Sequence, residues 1–228
     1  MDGYVLTIAP PEDLGPLIPG FPKNIRPILR YTGGETLEFV LGDEHPEGMT
    51  IDEITGAVQW SPEKADAGEH LITVTVSDGN SNSSTSFQVS VATMDDITFE
   101  ATESSLVIND ATTNLNGMAL EILDAESGEG NLSDTSLQRI SLASLPTVPS
   151  NIKVISDAFL ISEVFQGEVG LSIPLTLSEE ALSRVTPRVF TYTQPGHHDL
   201  SLWKPVSLGQ KIDTSSSPKL NVALKNLE

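Results

Sequence analysis

Carboxylates are the most abundant side chains in this sequence that could do chemistry. The 228 residues contain 32 Asp and Glu against 12 Lys and Arg, which gives a formal net charge of −20. Carboxylate oxygens are the ligands that Ca²⁺ takes in proteins. An acidic surface also repels the phosphates of nucleic acid and of anionic lipid. The composition therefore permits cation binding, and we expect no nucleic-acid partner.

The other groups that support catalysis or metal binding are scarce. The absence of cysteine excludes disulfides, thiolate zinc sites, iron–sulfur clusters and cysteine nucleophiles. No G-x-S-x-G, H-E-x-x-H, G-x-G-x-x-G or phosphate-binding loop is present. His197 and His198 are adjacent, and neighbours on an extended chain point opposite ways, so they are poorly placed to share a metal. We therefore expect that the protein is not an enzyme. A deep pocket that holds paired carboxylates with shifted pKa values would instead indicate an enzyme.

The two tryptophans, Trp60 and Trp203, allow two interpretations. They could stack on sugar rings, as aromatic side chains do in carbohydrate-binding modules. They could instead anchor hydrophobic cores, and we favour this because both lie in alternating segments with apolar neighbours. We therefore expect Trp60 to be buried, with partners Phe39, Ile51, Val74 and Phe87.

Alternating apolar and polar residues predict β-strands throughout. In His70–Ser77 the apolar residues Ile72, Val74 and Val76 share one face, and Ser84–Val91 alternates in the same way. The intervening Asp78-Gly79-Asn80-Ser81-Asn82-Ser83 consists of turn-forming residues, so this region predicts a hairpin with one face in a core. Similar patterns predict further strands at Tyr4–Ile8, Ile28–Tyr31, Thr36–Leu41, Ala57–Trp60, Met118–Ile122, Leu137–Leu142, Phe159–Ile161, Val169–Leu177, Arg188–Tyr192 and Leu202–Leu208.

The second half predicts a core of its own. Because Pro174 cannot donate to a ladder, we expect it at a sheet edge or bulge. We expect Ile173 and Leu175 to face the same core as Leu120, Ile122, Phe159 and Phe190.

The pattern predicts an all-β protein with two consecutive β-sandwich domains. Only Ser178–Leu182 predicts a helical turn, with Ser178 as N-cap. We predict an extended N-terminal segment over 1–25, a first sandwich over 26–94, a short acidic linker over 95–100 and a second sandwich over 101–226. No apolar run reaches the roughly 18 residues that a membrane-spanning helix needs, so we expect no membrane insertion of this chain.

One region matches a family pattern closely. The run is Gly34–Phe39, then Pro46-Glu47-Gly48-Met49-Thr50-Ile51-Asp52, then Thr55-Gly56-Ala57-Val58-Gln59-Trp60-Ser61-Pro62, then Ala67-Gly68 and the strand end at Asp78-Gly79. At about 32–91 this resembles the dystroglycan-type cadherin-like modules, also described as Ig modules, of bacterial surface proteins. The resemblance implies a cadherin-like or Ig-like β-sandwich.

The second half resembles another β-sandwich family. Its segments, at about 101–208, look like the ZU-type sandwich of netrin receptors, ankyrins and secreted bacterial proteins. They are Met118–Ile122, Thr135–Leu142, Phe159–Ile161, Gly170–Leu175, Val189–Tyr192 and Leu202–Val206. Some relatives cleave themselves at His-Phe-Ser or His-Leu-Thr, and neither triplet occurs here, so cleavage is not implied.

The cadherin-like resemblance implies a calcium site at the junction of the two domains. Cadherin-like tandem modules hold Ca²⁺ between acids from the start of a module, its middle loop and its linker. The corresponding residues are Glu12 (beside Asp13), Asp66, Asp78, Asp95 and Asp96. The alternative is that Asp95 and Asp96 form a solvated linker and that Asp78 serves its turn.

Together these features predict a non-catalytic structural or adhesion module pair that belongs to a larger bacterial protein. We expect that protein to be extracellular or at the cell surface, and we expect Ca²⁺ as the cofactor of the module pair. The expected partners are neighbouring domains of the same chain and a cell-surface protein or glycan. The alternative is an accessory carbohydrate-binding module of a secreted polysaccharide-degrading protein. A polysaccharide pull-down distinguishes the two.

Overall fold

The structure is a computed structural model that describes residues 4–12, 14–123, 131–145, 157–161, 165–175, 180, 184, 188–192, 203–205, 211–213 and 218–227. The described chain is built from strands joined by turns and short 3₁₀ segments, and the predicted all-β sandwich class is confirmed. The chain divides into two compact units, with the main division between Met94 and Asp95. We call them unit 1 and unit 2 and describe each by itself.

Unit 1 is formed by short strands around one long hairpin. The strands are β1 (Leu6–Ala9), β2 (Lys23–Ile25), β3 (Ile28–Tyr31), β4 (Glu38–Leu41), β5 (Thr50–Ile51), β6 (Val58–Trp60), β7 (Gly68–Ser77) and β8 (Asn82–Val91). They form three antiparallel sheets with the orders β1-β3, β2-β6-β5 and β4-β7-β8. A 3₁₀ turn, Lys64–Asp66, precedes β7.

The core of unit 1 lies between the sheets β2-β6-β5 and β4-β7-β8. Trp60 is 2% exposed and belongs to this core, as predicted. Phe39, Val74 and Phe87 are buried in the same cluster, and Ile51 packs against it half-buried. Truncating such a buried aromatic side chain costs about 3–5 kcal/mol, so this packing contributes a large part of the stability of a domain this size.

The predicted hairpin is β7–β8, paired in register from Gly68↔Val91 to Ser77↔Asn82. Its inner side chains are apolar, and its outer face carries hydroxyls that bond to one another across the strands. Thr73 bonds to Ser86 at 2.9 Å between their hydroxyl oxygens, and Thr75 bonds to Ser84 at 2.8 Å. We call these four residues the hydroxyl ladder; such cross-strand pairs stabilise a sheet.

The β5–β6 hairpin explains the Ile-Asp…Thr-Gly part of the sequence motif. The Asp52 carboxylate accepts hydrogen bonds from the Ile54 and Thr55 amides at 3.0 and 2.8 Å and so closes an Asx turn. Gly56 has φ +69°, a left-handed conformation that favours glycine. The chain then returns so that the Asp52 amide donates to the Ala57 carbonyl at 2.9 Å.

The N-terminal residues belong to unit 1. The predicted strand Tyr4–Ile8 is observed as β1, which begins two residues later and ends one residue later, and it pairs with β3. After the proline-rich stretch, Leu17 is fully buried and forms a parallel bridge with Val91. The Leu17 amide donates to the Ser90 carbonyl, and the Ala92 amide donates to the Leu17 carbonyl, both at 2.8 Å. This segment therefore covers the outer edge of β8.

Unit 2 contains the remaining strands. They are β9 (Met94–Asp96), β10 (Phe99–Ala101), β11 (Ser105–Ile108), β12 (Ala119–Ile122), β13 (Leu137–Ile140), β14 (Ala158–Ile161), β15 (Phe165–Pro174), β16 (Phe190–Tyr192), β17 (Trp203–Pro205), β18 (Lys211–Asp213) and β19 (Lys219–Leu227). A six-stranded sheet has the order β10-β11-β12-β15-β19-β18, a second has the order β14-β13-β9, and β16 pairs with β17. The segment predicted as an acidic linker, 95–100, thus contains parts of two strands.

The second core lies between the six-stranded sheet and the sheet β14-β13-β9. Ile173 and Leu175 are buried in it with Leu120, while Ile122 and Phe159 pack against it half-buried, as predicted. The side chain of Phe190, a further predicted member, lies outside the described residues, as do the residues around Glu180, which is itself helical.

Pro174 was predicted at a sheet edge or bulge, but it ends a central strand. It pairs with Lys219 of β19, whereas β12 pairs with β15 only as far as Ser172. The Leu175 amide donates to the Pro218 carbonyl on the β19 side at 2.8 Å. Because amides alternate sides along a strand, the missing N–H of Pro174 faces the side where β12 has already ended.

Candidate functional site

Asp78, a predicted calcium ligand, sits in the turn between β7 and β8 with its carboxylate engaged locally. Asp78 Oδ1 accepts hydrogen bonds from the Asn80 and Ser81 amides at 3.0 and 2.8 Å. The Tyr4 hydroxyl donates to Asp78 Oδ2. Asp78 is only 6% exposed, so these donors replace most of its water contacts.

These hydrogen bonds shift the titration of both partners. The pKa of Asp78 is lowered, first by the Tyr4 hydroxyl and then by the Ser81 and Asn80 amides, because each donor favours the charged carboxylate. The pKa of Tyr4 is raised, first by its bond to Asp78, because a phenolate there would face a carboxylate. The arrangement is that of a structural clamp between the start of unit 1 and its long hairpin.

Asp66, the predicted middle-loop ligand, ends the 3₁₀ turn before β7. Its Oδ2 accepts a hydrogen bond from the Glu63 amide at 2.7 Å, which satisfies a donor at the start of that turn. The Asp66 carbonyl lies 2.6 Å from His70 Nε2, and the His70 ring meets the Trp60 ring edge-on, 5.2 Å between centroids. Asp66 therefore positions a histidine against the core of unit 1.

Asp95 and Asp96 lie on β9 and face side chains of β13. Asp95 Oδ2 forms an ion pair with Arg139 Nη2 at 2.6 Å. Asp96 Oδ1 accepts a hydrogen bond from Gln138 Nε2 at 3.2 Å. Both predicted linker ligands are thus bound to groups of unit 2, and one of them is neutralised by a guanidinium.

Arg139 is the positive centre of a group of aspartates in unit 2. Its pKa is raised, first by the hydrogen bond to Asp95 and further by the charges of Asp95, Asp157 and Asp110. Asp110 accepts from the Thr112 hydroxyl at 2.5 Å and from its amide at 2.9 Å. Arg139 therefore supplies the positive charge that a bound cation would supply elsewhere.

The five predicted ligands fit a calcium ion poorly. Glu12 is exposed, Asp66 and Asp78 serve turns, and Asp95 is paired with Arg139. Calcium takes six to eight oxygens, as a rule, from several converging carboxylates. Within the part of the chain that the structure describes, no group of three or more His, Cys, Asp or Glu residues could hold a metal ion. Calcium binding stays a prediction from the sequence.

The described residues do not form a site for the other chemistry that the sequence suggested, which was sugar stacking on tryptophan and metal binding by histidine. Trp60 is in the core and cannot offer a ring face to a sugar. The side chain of Trp203 and the residues His197 and His198 lie outside the described ranges. A surface recess beside β7 is lined by Gly42, Asp43, Glu44, Leu71 and Thr73, and this lining includes no histidine.

Sequence reasoning missed one surface of unit 1. Residues 1–96 contain only four basic side chains, and three of them, Lys23, Arg26 and Arg30, fall within eight residues on and beside β2 and β3. The signal that could have revealed this surface was present, because the same segment combines these bases with Ile28 and Leu29. Both of these apolar side chains are exposed.

Comparison with known proteins finds one family whose pattern matches part of unit 1. The family described as "Putative Ig domain" matches residues 21–92. This match supports an Ig-like or cadherin-like module in the first half of the chain, which is the broader part of our sequence prediction. A search of curated proteins returned no match.

Solved structures with weak similarity to the chain include cadherin and titin fragments. The EC1-2 fragment of human protocadherin-24 is 12% identical, with 75% of this chain and 88% of that one covered and a TM-score of 0.33. An I-band fragment of titin is 12% identical, with 99% and 88% covered and a TM-score of 0.30. Among the described residues, no helix has the length and apolar character needed to cross a membrane.

Proposed function

We propose that this chain is a non-catalytic structural and adhesive module pair of a larger extracellular protein, of bacterial origin. The observation that carries the proposal is the match of residues 21–92 to an Ig-domain family, because such modules serve as structural units. The chain contains no cysteine, so its modules are stabilised without disulfides.

Two finer assignments belong to the proposal. We infer a dystroglycan-type cadherin-like module at about 32–91 and a ZU-type sandwich at about 101–208. The first is supported by its motif glycines, since Gly48, Gly56 and Gly79 all have positive φ at turns. The second is supported by the alternating burial of Val169, Leu171 and Ile173 on β15. A structural-homology match for unit 2 alone would test it.

Display on the cell surface is the part of the proposal that an experiment can test directly. An antibody raised against the purified chain is expected to label intact cells of the source organism. Protease treatment of intact cells is expected to remove the labelling, while a cytoplasmic marker protein survives. Labelling that appears only after the cells are permeabilised would contradict the proposal.

The alternative role as an accessory carbohydrate-binding module gains no support from Trp60. A sugar platform needs an exposed aromatic face, and Trp60 is buried. Pull-down with a panel of insoluble polysaccharides tests this alternative. If the chain is retained on one of them and the soluble sugar competes for binding, the proposed function would change from adhesion to a protein to recognition of a glycan.

A further inference from the structure

Among the described residues, no strand pairs with the outer edge of β3. Within the described part of unit 1, β1 and β3 form a two-stranded sheet. The Thr32 amide donates to the Val5 carbonyl at 3.0 Å, which sets the alternation of hydrogen bonds along this pair. Leu29 and Tyr31 consequently direct their amide and carbonyl groups away from β1. Within the described part of the chain, the amide and carbonyl groups of Leu29 and Tyr31 thus form an open row of backbone donors and acceptors.

The core of unit 1 is incompletely covered at this edge. Leu29 is directly opposite Ile8, whose side chain is buried in the core. Leu29 lies on the same face of the ribbon, yet it is 38% exposed. On the opposite face Ile28 is 43% exposed. A further strand beside β3 would cover Leu29 with an inward-facing apolar side chain.

Arg30 gives β3 a positive charge in an acidic unit, and two further bases precede it in sequence. Residues 1–96 hold 16 acidic and 4 basic side chains, a net charge of −12. Arg26 and Arg30 are both exposed, and Lys23 is half-buried nearby in sequence. Arg26 contributes to the lowered pKa of Asp52, after the larger effect of the Thr55 amide, so it has an acidic neighbour. Arg30 lies on the outer face of β3 and makes no ion pair with any described residue.

We propose that the free edge of β3 binds an extended acidic segment of a partner protein by strand addition. Backbone groups of the partner would pair with Leu29 and Tyr31, apolar side chains would pack on Leu29, and alternate Asp or Glu side chains would meet Arg30 and Arg26. This edge therefore fits a partner strand in which apolar and acidic residues alternate. The inference deepens the proposed adhesive function and rests on it for a protein partner.

A synthetic peptide tests the proposal on the whole chain. The probe is an eight-residue peptide that alternates valine and glutamate, with blocked ends. We expect it to bind, to bind more weakly as salt is added, and to slow hydrogen exchange of the Leu29 and Tyr31 amides. A peptide that is N-methylated at every second residue, on the edge facing β3, should lose binding because it cannot form the backbone ladder.

Charge-reversal variants test the electrostatic part. Arg30→Glu is expected to weaken the peptide by about five- to tenfold, because an attraction becomes a repulsion. Arg188→Glu, which makes the same charge change on unit 2, is the control and should leave affinity unchanged. Equal effects of the two variants, or full binding of the N-methylated peptide, would overturn the proposal.

Three further results would also overturn it. The first is the absence of binding at millimolar peptide, which would leave labelling of intact cells, and so the proposed function, untouched. The second is a dimer of the free chain that Arg30→Glu dissociates, because the occupant of the edge would then be a second copy. Binding of the chain to anionic vesicles through Arg30, without peptide binding, would assign the edge to a lipid surface instead.

Discussion

The Tyr4 hydroxyl donates a hydrogen bond to the carboxylate of Asp78, a residue 74 positions further along the chain. The bond joins the segment before β1 to the turn that closes the β7–β8 hairpin. Nothing local in the sequence links these two positions. The carboxylate that we had assigned to calcium therefore holds two distant parts of unit 1 together.

Tyr4→Phe should lower the melting temperature of unit 1 and flatten its dependence on pH. The lowered pKa of Asp78 contributes stability that is fully present above the unfolded value, about 3.9, and is lost as the pH falls through the folded value. The raised pKa of Tyr4 contributes below about pH 10 and is lost at higher pH. Thermal melts from acid to alkaline pH measure both limbs.

Tyr31→Phe is the control for this experiment. The Tyr31 hydroxyl accepts a hydrogen bond from the Glu35 amide at 2.9 Å rather than bonding to a carboxylate. Its loss should lower the melting temperature without changing the shape of the pH profile in acid. Identical acid limbs in wild type and Tyr4→Phe would show that the Tyr4 bond does not tune Asp78.

Gly56→Ala should destabilise unit 1 more than Gly48→Ala. Both glycines have positive φ, +69° and +75°, so alanine is strained at each by about 1–2 kcal/mol. At Gly56 an added Cβ would also lie 2.6 Å from Cδ1 of Phe39, whereas at Gly48 it would meet open space. We expect the difference, about 1–3 kcal/mol in the free energy of unfolding, to report the overpacking against Phe39. Urea unfolding measures it, and equal costs would refute the contact.

Arg139→Gln should make the stability of unit 2 more dependent on salt. Without the guanidinium, Asp95, Asp110 and Asp157 repel one another, and salt screens such repulsion over about 8–10 Å. The melting temperature of the variant should therefore rise with added NaCl more steeply than that of wild type. Arg184→Gln removes the same charge from an exposed pair with Glu180 and should show no such change. A shared salt response would exclude Arg139 as the centre of the group.

Added Ca²⁺ and Mg²⁺ should shift the melting temperature equally at millimolar concentration. This follows because the predicted ligands Asp78, Asp66 and Asp95 are bound to other groups of the protein. Among the described residues, no three carboxylates or histidines converge on a metal position. A site of the kind that the sequence predicted would have a dissociation constant of about 10⁻⁴–10⁻³ M. Calorimetric heat with Ca²⁺ alone, abolished by Asp95→Asn with Asp96→Asn, would restore the calcium site.

The sequence was sufficient where neighbouring residues determine the structure. The alternation in β7 and β8, and the turn residues between them, predicted the hairpin because periodicity and turn chemistry act locally. The burial of Trp60 followed from its apolar neighbours. The strand β15 was predicted at Val169–Leu177 and begins earlier and ends earlier, at Phe165–Pro174.

The sequence was insufficient to predict features that depend on contacts between residues distant in the chain. β10 and β11 are three and four residues long, too short for alternation to separate them from loops. These two segments form strands because β10 pairs with β11, and β11 pairs with β12, in the six-stranded sheet. In the same way Asp95 gives no local sign of its partner Arg139, 44 residues away. The ion pair is a property of the folded sheet.

The hydroxyl ladder on β7 and β8 affects how copies of the chain behave when they are crowded together. Its hydroxyl groups hydrogen-bond in pairs, Thr73 with Ser86 and Thr75 with Ser84. Two such faces brought together would have to exchange hydroxyl bonds already formed before the exposed side chains of Val40 and Leu71 on the same face could make apolar contact. The outer face of the β7–β8 hairpin thus disfavours association between copies of the chain, in addition to the electrostatic repulsion between these highly charged chains.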